Sequence, residues 1–134
     1  MKKVVVISLI IFCFTLGTCE KEKDDCKGVH MVQIEDAIIP DTVPMDEPVQ
    51  ISVKASATNL CWSDLYVELG AQDAFTYSLQ SYGTFSCCQG LCVCPDQMLY
   101  KDTVITFQPA QKGKYYFNIA EPQGSVVFDS MIVE

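Results

Sequence analysis

Nine residues from Val49 to Ala57 alternate without a fault. Val49, Ile51, Val53, Ala55 and Ala57 are apolar, and Gln50, Ser52, Lys54 and Ser56 between them are polar. Successive side chains of a strand point to opposite faces, so this run predicts a half-buried β-strand. The same period recurs along the chain. Cys61, Leu65, Val67 and Leu69 are expected on one face, opposite Asp64 and Glu68. Phe75, Tyr77 and Leu79 alternate with Thr76, Ser78 and Gln80. Ile105 and Phe107 lie in a run with Val104 and Thr106, and Tyr115, Phe117 and Ile119 alternate with Lys114, Tyr116 and Asn118. A last run covers Ser125 to Val133, with Asp129-Ser130 expected to disturb its register. An earlier run, Val29 to Ile39, predicts an edge strand ended by Pro40.

The breaks fit strands. Pro40, Pro44, Pro48, Pro95, Pro109 and Pro122 fall between the runs, as do Gly70, Gly83, Gly113 and Gly124. These residues supply the turns that strands need. No run after the N-terminal segment reads as a helix, and there is no internal repeat. A length of 134 residues allows one domain. About seven short strands at roughly ten-residue spacing predict an antiparallel two-sheet β-sandwich of immunoglobulin type, with a closed small barrel as the alternative.

Nine Lys, no Arg, and 17 acidic residues give a net charge of −8. That balance argues against a nucleic-acid partner, whose phosphates require a basic patch. A single histidine, His30, leaves few routes to acid–base catalysis near neutral pH.

Residues 1–18 read as a signal segment. Met1-Lys2-Lys3 is a basic start, and Val4 to Leu16 is an apolar run too short to span a bilayer. An uncut N-terminal anchor helix is the alternative. Leu16-Gly17-Thr18-Cys19 resembles a bacterial lipobox. The resemblance implies cleavage before Cys19 and a diacylglycerol on its thiol, hence a domain attached to a membrane by lipid. Residues 19–28 then form the lipidated Cys and a charged tether, through Glu20-Lys21-Glu22-Lys23-Asp24-Asp25. Lys23-Asp24-Asp25 resembles the export signals of Bacteroidota lipoproteins, which implies the outer membrane and its exterior face. The mature chain keeps seven Lys against 17 acids, a net of −10. An anionic surface repels it, so attachment must come from lipid.

Residues 29–134 form the expected domain. Within it, Gln111-Lys112-Gly113-Lys114-Tyr115-Tyr116-Phe117 resembles the tyrosine corner of immunoglobulin-like domains. The resemblance implies that the Tyr115 hydroxyl bonds back to upstream backbone. Phe117 stands where antibody domains place a core Cys, which implies an apolar contact with Val53 or its neighbour. From Val43-Pro44 to Val133 the chain is similar to small Bacteroidota lipoproteins with a single immunoglobulin-like domain and no assigned activity.

Cys13 falls in the signal and Cys19 is the lipid acceptor. That leaves Cys26, Cys61, Cys87, Cys88, Cys92 and Cys94 as disulfide candidates. An even count in an exported chain reads as up to three bridges. A two-residue turn at Gln89-Gly90 would set Cys87 opposite Cys92, close enough to bridge. Cys61 would then take Cys88 or Cys94, and Cys26 the other. The alternative is a metal site: Cys87, Cys88, Cys92 and Cys94 pack four thiols into eight residues, and zinc and copper(I) favour thiolates. Separated C-x2-4-C pairs, usual in structural zinc sites, are missing, so disulfides are the preferred reading and no cofactor is expected.

No catalytic motif is present, and the acids Asp41, Asp46, Glu47, Asp64, Glu68 and Asp73 read as solvated turn and strand positions. Trp62 and Tyr66 fall on the same side as Asp64 and Glu68, which makes them candidate partner-binding residues for a protein or glycan. The alternative sends Trp62 over a sheet edge or beneath the Cys-rich hairpin to extend the core. The expectation is a non-enzymatic, lipid-anchored binding, adhesion or assembly module, with metal binding at Cys87–Cys94 as the alternative.

Overall fold

The computed structural model describes residues 27–87 and 92–134. These residues are all-β, with no helix among them. Eight strands follow in order: β1 (Gly28–Ile38), β2 (Thr42–Val43), β3 (Val49–Ala57), β4 (Trp62–Ala71), β5 (Thr76–Phe85), β6 (Leu99–Phe107), β7 (Gly113–Ala120) and β8 (Val126–Val133). The expected runs are all present. The extra strand, β2, has two residues, too few to show a period.

The strands form one curled sheet ordered β2-β8-β7-β5-β1-β3-β6, with β4 on the remaining side of β5. The sheet is mixed rather than antiparallel: β2 runs parallel to β8, and β5 parallel to β7. Alternation assigns faces but carries no information on neighbours or direction, so the expectation of antiparallel pairing throughout failed here. Nor is β1 at the sheet's end. Its first half pairs with β5 from Gly28↔Phe85 to Val32↔Ser81, and its second half with β3 from Gln33↔Ser56 to Ile38↔Ser52. One strand thereby joins the two limbs of the curl. The expected disturbance at Asp129-Ser130 is also absent, because β7 and β8 pair without a shift from Gly113↔Val133 to Ala120↔Val126.

The two limbs bury one main core. β3 contributes Val49, Ile51 and Val53, which meet Tyr115, Phe117 and Ile119 of β7 and Met131 and Val133 of β8. Val53 and Phe117 thus share the core, as the corner resemblance implied. Tyr115 is fully buried, and its hydroxyl donates to the Gln111 carbonyl at 2.9 Å and accepts from the Gln111 N–H at 3.2 Å. A buried phenol without partners would be costly, so this closure lets an aromatic occupy the centre of the core. A smaller cluster of Val32, Ala55, Ala57 and Leu65 lies where β1 crosses between limbs. Trp62, the residue after Cys61, packs against this second cluster.

Candidate functional site

Two disulfides form among the described residues. Cys61 bonds Cys94, with Cα atoms 5.3 Å apart, and Cys87 bonds Cys92, with Cα atoms 5.9 Å apart. Cys61 immediately precedes β4, Cys87 follows β5, and Cys92 and Cys94 lie on the segment leading to β6. Backbone bonds hold the three together. The Ser86 N–H and hydroxyl both donate to the Cys61 carbonyl at 3.0 and 2.9 Å, and the Leu60 N–H donates to the Pro95 carbonyl at 3.1 Å. The Sγ atoms of Cys61, Cys87 and Cys94 all lie within 4.8 Å of one another.

The expected Cys87–Cys92 pairing is present, and Cys61 takes Cys94 from the two partners left open. Cys19, Cys26, Cys88 and the Gln89-Gly90 turn lie outside the described residues, as do the signal segment and most of the tether. The cluster includes Cys61, which the metal reading from Cys87–Cys94 omitted. Sequence separation hides it, since Cys94 lies 33 positions after Cys61. As disulfides these sulfurs carry no thiolate to donate. Reduced, the Cys61 and Cys94 sulfurs, now bonded to each other, would have to separate to the roughly 3.8 Å at which thiolates stand around a tetrahedral metal with bonds of about 2.3 Å.

Trp62 and Tyr66 do not share a face. Ser63 pairs with Thr84 and Tyr66 with Tyr82, so β4 advances three residues while β5 advances two. The extra residue is a β-bulge at Asp64, whose φ is +50°. A one-residue slip exchanges the two faces of a strand, and Trp62 therefore turns inward with Leu65. It packs half-buried against the Val32–Ala55–Ala57–Leu65 cluster, with its ring 4.9 Å from Phe85 and edge-on to the exposed His30 at 6.2 Å. The placement of Trp62 on the outer face is corrected, and the other reading, in which it extends the core, holds. Trp62 also walls a groove of about 290 Å³ with Met31, Gln33, Ala57, Met98 and Pro122.

Tyr66 does face outward and is 39% exposed. Its ring stacks on Tyr82 of β5, with centroids 5.5 Å apart and planes inclined by 27°. The Tyr82 hydroxyl donates to Gln80 Oε1 at 2.9 Å, which fixes the second ring. The pair is a small aromatic platform on the β4–β5 edge of the sheet, beside Gln80 and Glu68, which are cross-strand partners. Tyr82 is a residue that face assignment alone does not join to Tyr66, because only the β4–β5 register brings them opposite.

Among the described residues, two ionisable groups depart from their ordinary values, both near the β4–β5 turn and away from the cysteines. The Phe75 N–H, then the Thr76 hydroxyl and N–H, hold the Asp73 carboxyl below its usual range. Burial raises the Tyr77 phenol, with smaller contributions from Tyr115 and Asp73. No helix among the described residues is long and apolar enough to cross a membrane. Comparison with protein-family models, with curated proteins and with solved structures finds no match.

Proposed function

We propose that this chain is a lipid-anchored, non-catalytic binding module of the bacterial outer membrane, facing the exterior. Its domain is an immunoglobulin-like sandwich in this reading. The Tyr115–Gln111 corner and the passage of β1 from β5 to β3 support that kinship. The lipobox-like Leu16-Gly17-Thr18-Cys19 supports the anchor, and Lys23-Asp24-Asp25 supports export. The observation that carries a binding role is the Tyr66–Tyr82 platform. Exposed, pre-positioned aromatic faces give contact area at little cost in side-chain entropy. With polar Gln80 and Glu68 beside it, the platform suits a sugar ring or a polar peptide.

Two measurements test this. Mass spectrometry of membrane-extracted protein should show acylated Cys19 at the mature N-terminus, and Cys19→Ala should show neither the acyl mass nor that cleaved terminus. Affinity electrophoresis through polysaccharide gels should retard the wild type, with Tyr66→Ala and Tyr82→Ala migrating freely at unchanged thermal midpoint. A wild type that is never retarded removes the glycan reading and leaves protein ligands.

A second reading, metal handling, rests on the Cys61, Cys87 and Cys94 sulfurs lying within 4.8 Å. Elemental analysis of protein purified without chelator separates the two. Stoichiometric zinc or copper with free thiols favours metal; intact disulfides without metal favour the binding module.

A further inference from the structure

The curled sheet has an open mouth between its two limbs. On one side stands β8, paired to β7 along its whole length but to β2 only at Thr42↔Ile132 and Val43↔Val133. The Ile132 N–H donates to the Asp41 carbonyl at 2.8 Å and the Glu134 N–H to the Val43 carbonyl at 3.1 Å. Backbone groups alternate in direction along a strand, so Phe128 and Val126 turn theirs toward the same edge. That stretch lies before the start of parallel β2, and no strand among the described residues covers it. The Ser130 N–H, also on that edge, is satisfied by Asp129 Oδ1 at 2.7 Å. The exposed residues Val126-Val127-Phe128 thus keep their outer edge open, and such edges invite pairing. Phe128 is 74% exposed.

On the other side stands the second half of β1. Between them lies a groove of about 250 Å³, lined by Ile34, Ala37, Ile119, Val127 and Phe128. Four carboxylates share its walls, Glu35, Asp36, Glu121 and Asp129, and no Lys does. Ser56 and Ser125 hydroxyls bond Glu35 and Glu121, and Gln33 Nε2 donates to Glu121 Oε1 at 3.1 Å. None of the four carboxylates has an ion-pair partner among the described residues.

We propose that this mouth takes an extended peptide of alternating Lys or Arg and apolar residues, which adds as a strand to the open edge of β8 in line with β2. Main-chain bonds to Val126 and Phe128 would supply the ladder, the apolar groove wall would take alternate side chains, and the unpaired carboxylates would take the cations. The carboxylates and the chain's net charge of −8 disfavour a second copy of this chain as the occupant. The site is separate from the Tyr66–Tyr82 platform.

The test is a fluorescence-anisotropy titration of the exported protein with the blocked, labelled peptide Lys-Val-Lys-Val-Lys-Val-Lys. A Glu-Val peptide of equal length is the comparison. The basic peptide is expected to bind and the acidic one not. Phe128→Pro removes an edge N–H that the fold itself does not use, and it should weaken binding about tenfold or more. Tyr66→Ala should leave binding unchanged, so this result stands or falls apart from the platform. Should Phe128→Pro shift the thermal midpoint, the peptide N-methylated at every Val and its counterpart methylated at every Lys replace it. Strand addition requires one of the two to lose binding. Equal binding of both, or undiminished binding to a folded Phe128→Pro protein, would reduce the interaction to charge attraction and overturn the proposal. Absence of binding by the basic peptide also overturns it.

Discussion

Trp62 and Leu65 converge on Gly83 from positions three residues apart on the same strand. A Cβ placed on Gly83 would lie 2.5 Å from Leu65 Cδ2, 3.2 Å from Trp62 Cε3 and 3.4 Å from the Ser63 carbonyl. The bulge at Asp64 causes this convergence, by turning both side chains onto the inner face of β4. Gly83 is therefore a packing requirement of the bulge rather than a turn residue.

Gly83→Ala follows directly as a test. The methyl would overpack the small cluster and should destabilise the domain by about 1–3 kcal/mol in urea unfolding. Leu65→Val in the same chain should recover part of the loss. A neutral Gly83→Ala would mean that Leu65 repacks freely.

The same bulge marks the limit of what the residues announced. Val49 to Ala57 alternates cleanly because one face meets the main core and then the smaller cluster, while Gln50, Ser52 and Lys54 on the other meet solvent; its five apolar residues are all buried, and only Ser56 breaks the pattern by being buried too. The tyrosine corner was equally legible, since the Gly113-to-Tyr115 spacing serves a local closure. Trp62 was not. This bulge puts one residue at positive φ, and Asp64 adopts it without any sequence mark that separates it from an ordinary surface Asp. Counting by twos through it assigns every residue before it to the wrong face. Strand neighbours were illegible for a different reason. The parallel β5–β7 pairing joins residues 40 apart, such as Thr76 and Tyr116, and depends on how the whole sheet curls.

Trp62→Ala and Tyr66→Ala should separate the two aromatics sharply. Trp62 packs on the buried cluster, and its loss should cost about 2–4 kcal/mol, toward the lower part of the range for large core aromatics because it is half-buried. Tyr66 loses one stacked partner on an outer face and should cost about 1 kcal/mol or less. Equal costs would contradict the opposite facing of these residues.

Tyr115→Phe deletes one oxygen from the corner. It leaves the buried ring in place but strands the Gln111 carbonyl and N–H, both now served by the hydroxyl. The expected loss is about 1–2 kcal/mol in denaturant unfolding. Hydrogen exchange should accelerate first at the Gln111 amide.

Asp73 gives the turn between β4 and β5 a pH dependence. Its Oδ1 accepts from the Phe75 N–H at 2.8 Å and the Thr76 N–H at 2.7 Å, which favours the carboxylate. Its folded pKa therefore lies below its ordinary, unfolded value. The contribution to stability is present above that value and lost as pH falls through the folded pKa. Exchange at the Phe75 and Thr76 amides should rise in that acidic window in the wild type. In Asp73→Asn the rise should be missing, because the amide oxygen still accepts but does not titrate.

The two disulfides should contribute unequally. In the chain-entropy description a cross-link stabilises by restricting the unfolded state, and more so for longer loops. Cys61–Cys94 spans 33 residues and Cys87–Cys92 spans 5. The corresponding losses are about 3.7 and about 2 kcal/mol on that scale. Urea unfolding of the paired variants Cys61→Ala with Cys94→Ala, and Cys87→Ala with Cys92→Ala, measures both. Cys87 is buried, however, and its sulfur lies within 4.8 Å of both sulfurs of the longer bridge. If the short bridge proves the costlier to remove, native packing among the three sulfurs outweighs loop entropy. The three sulfurs would then act as one packed unit, and the double loss would fall short of the sum of the two.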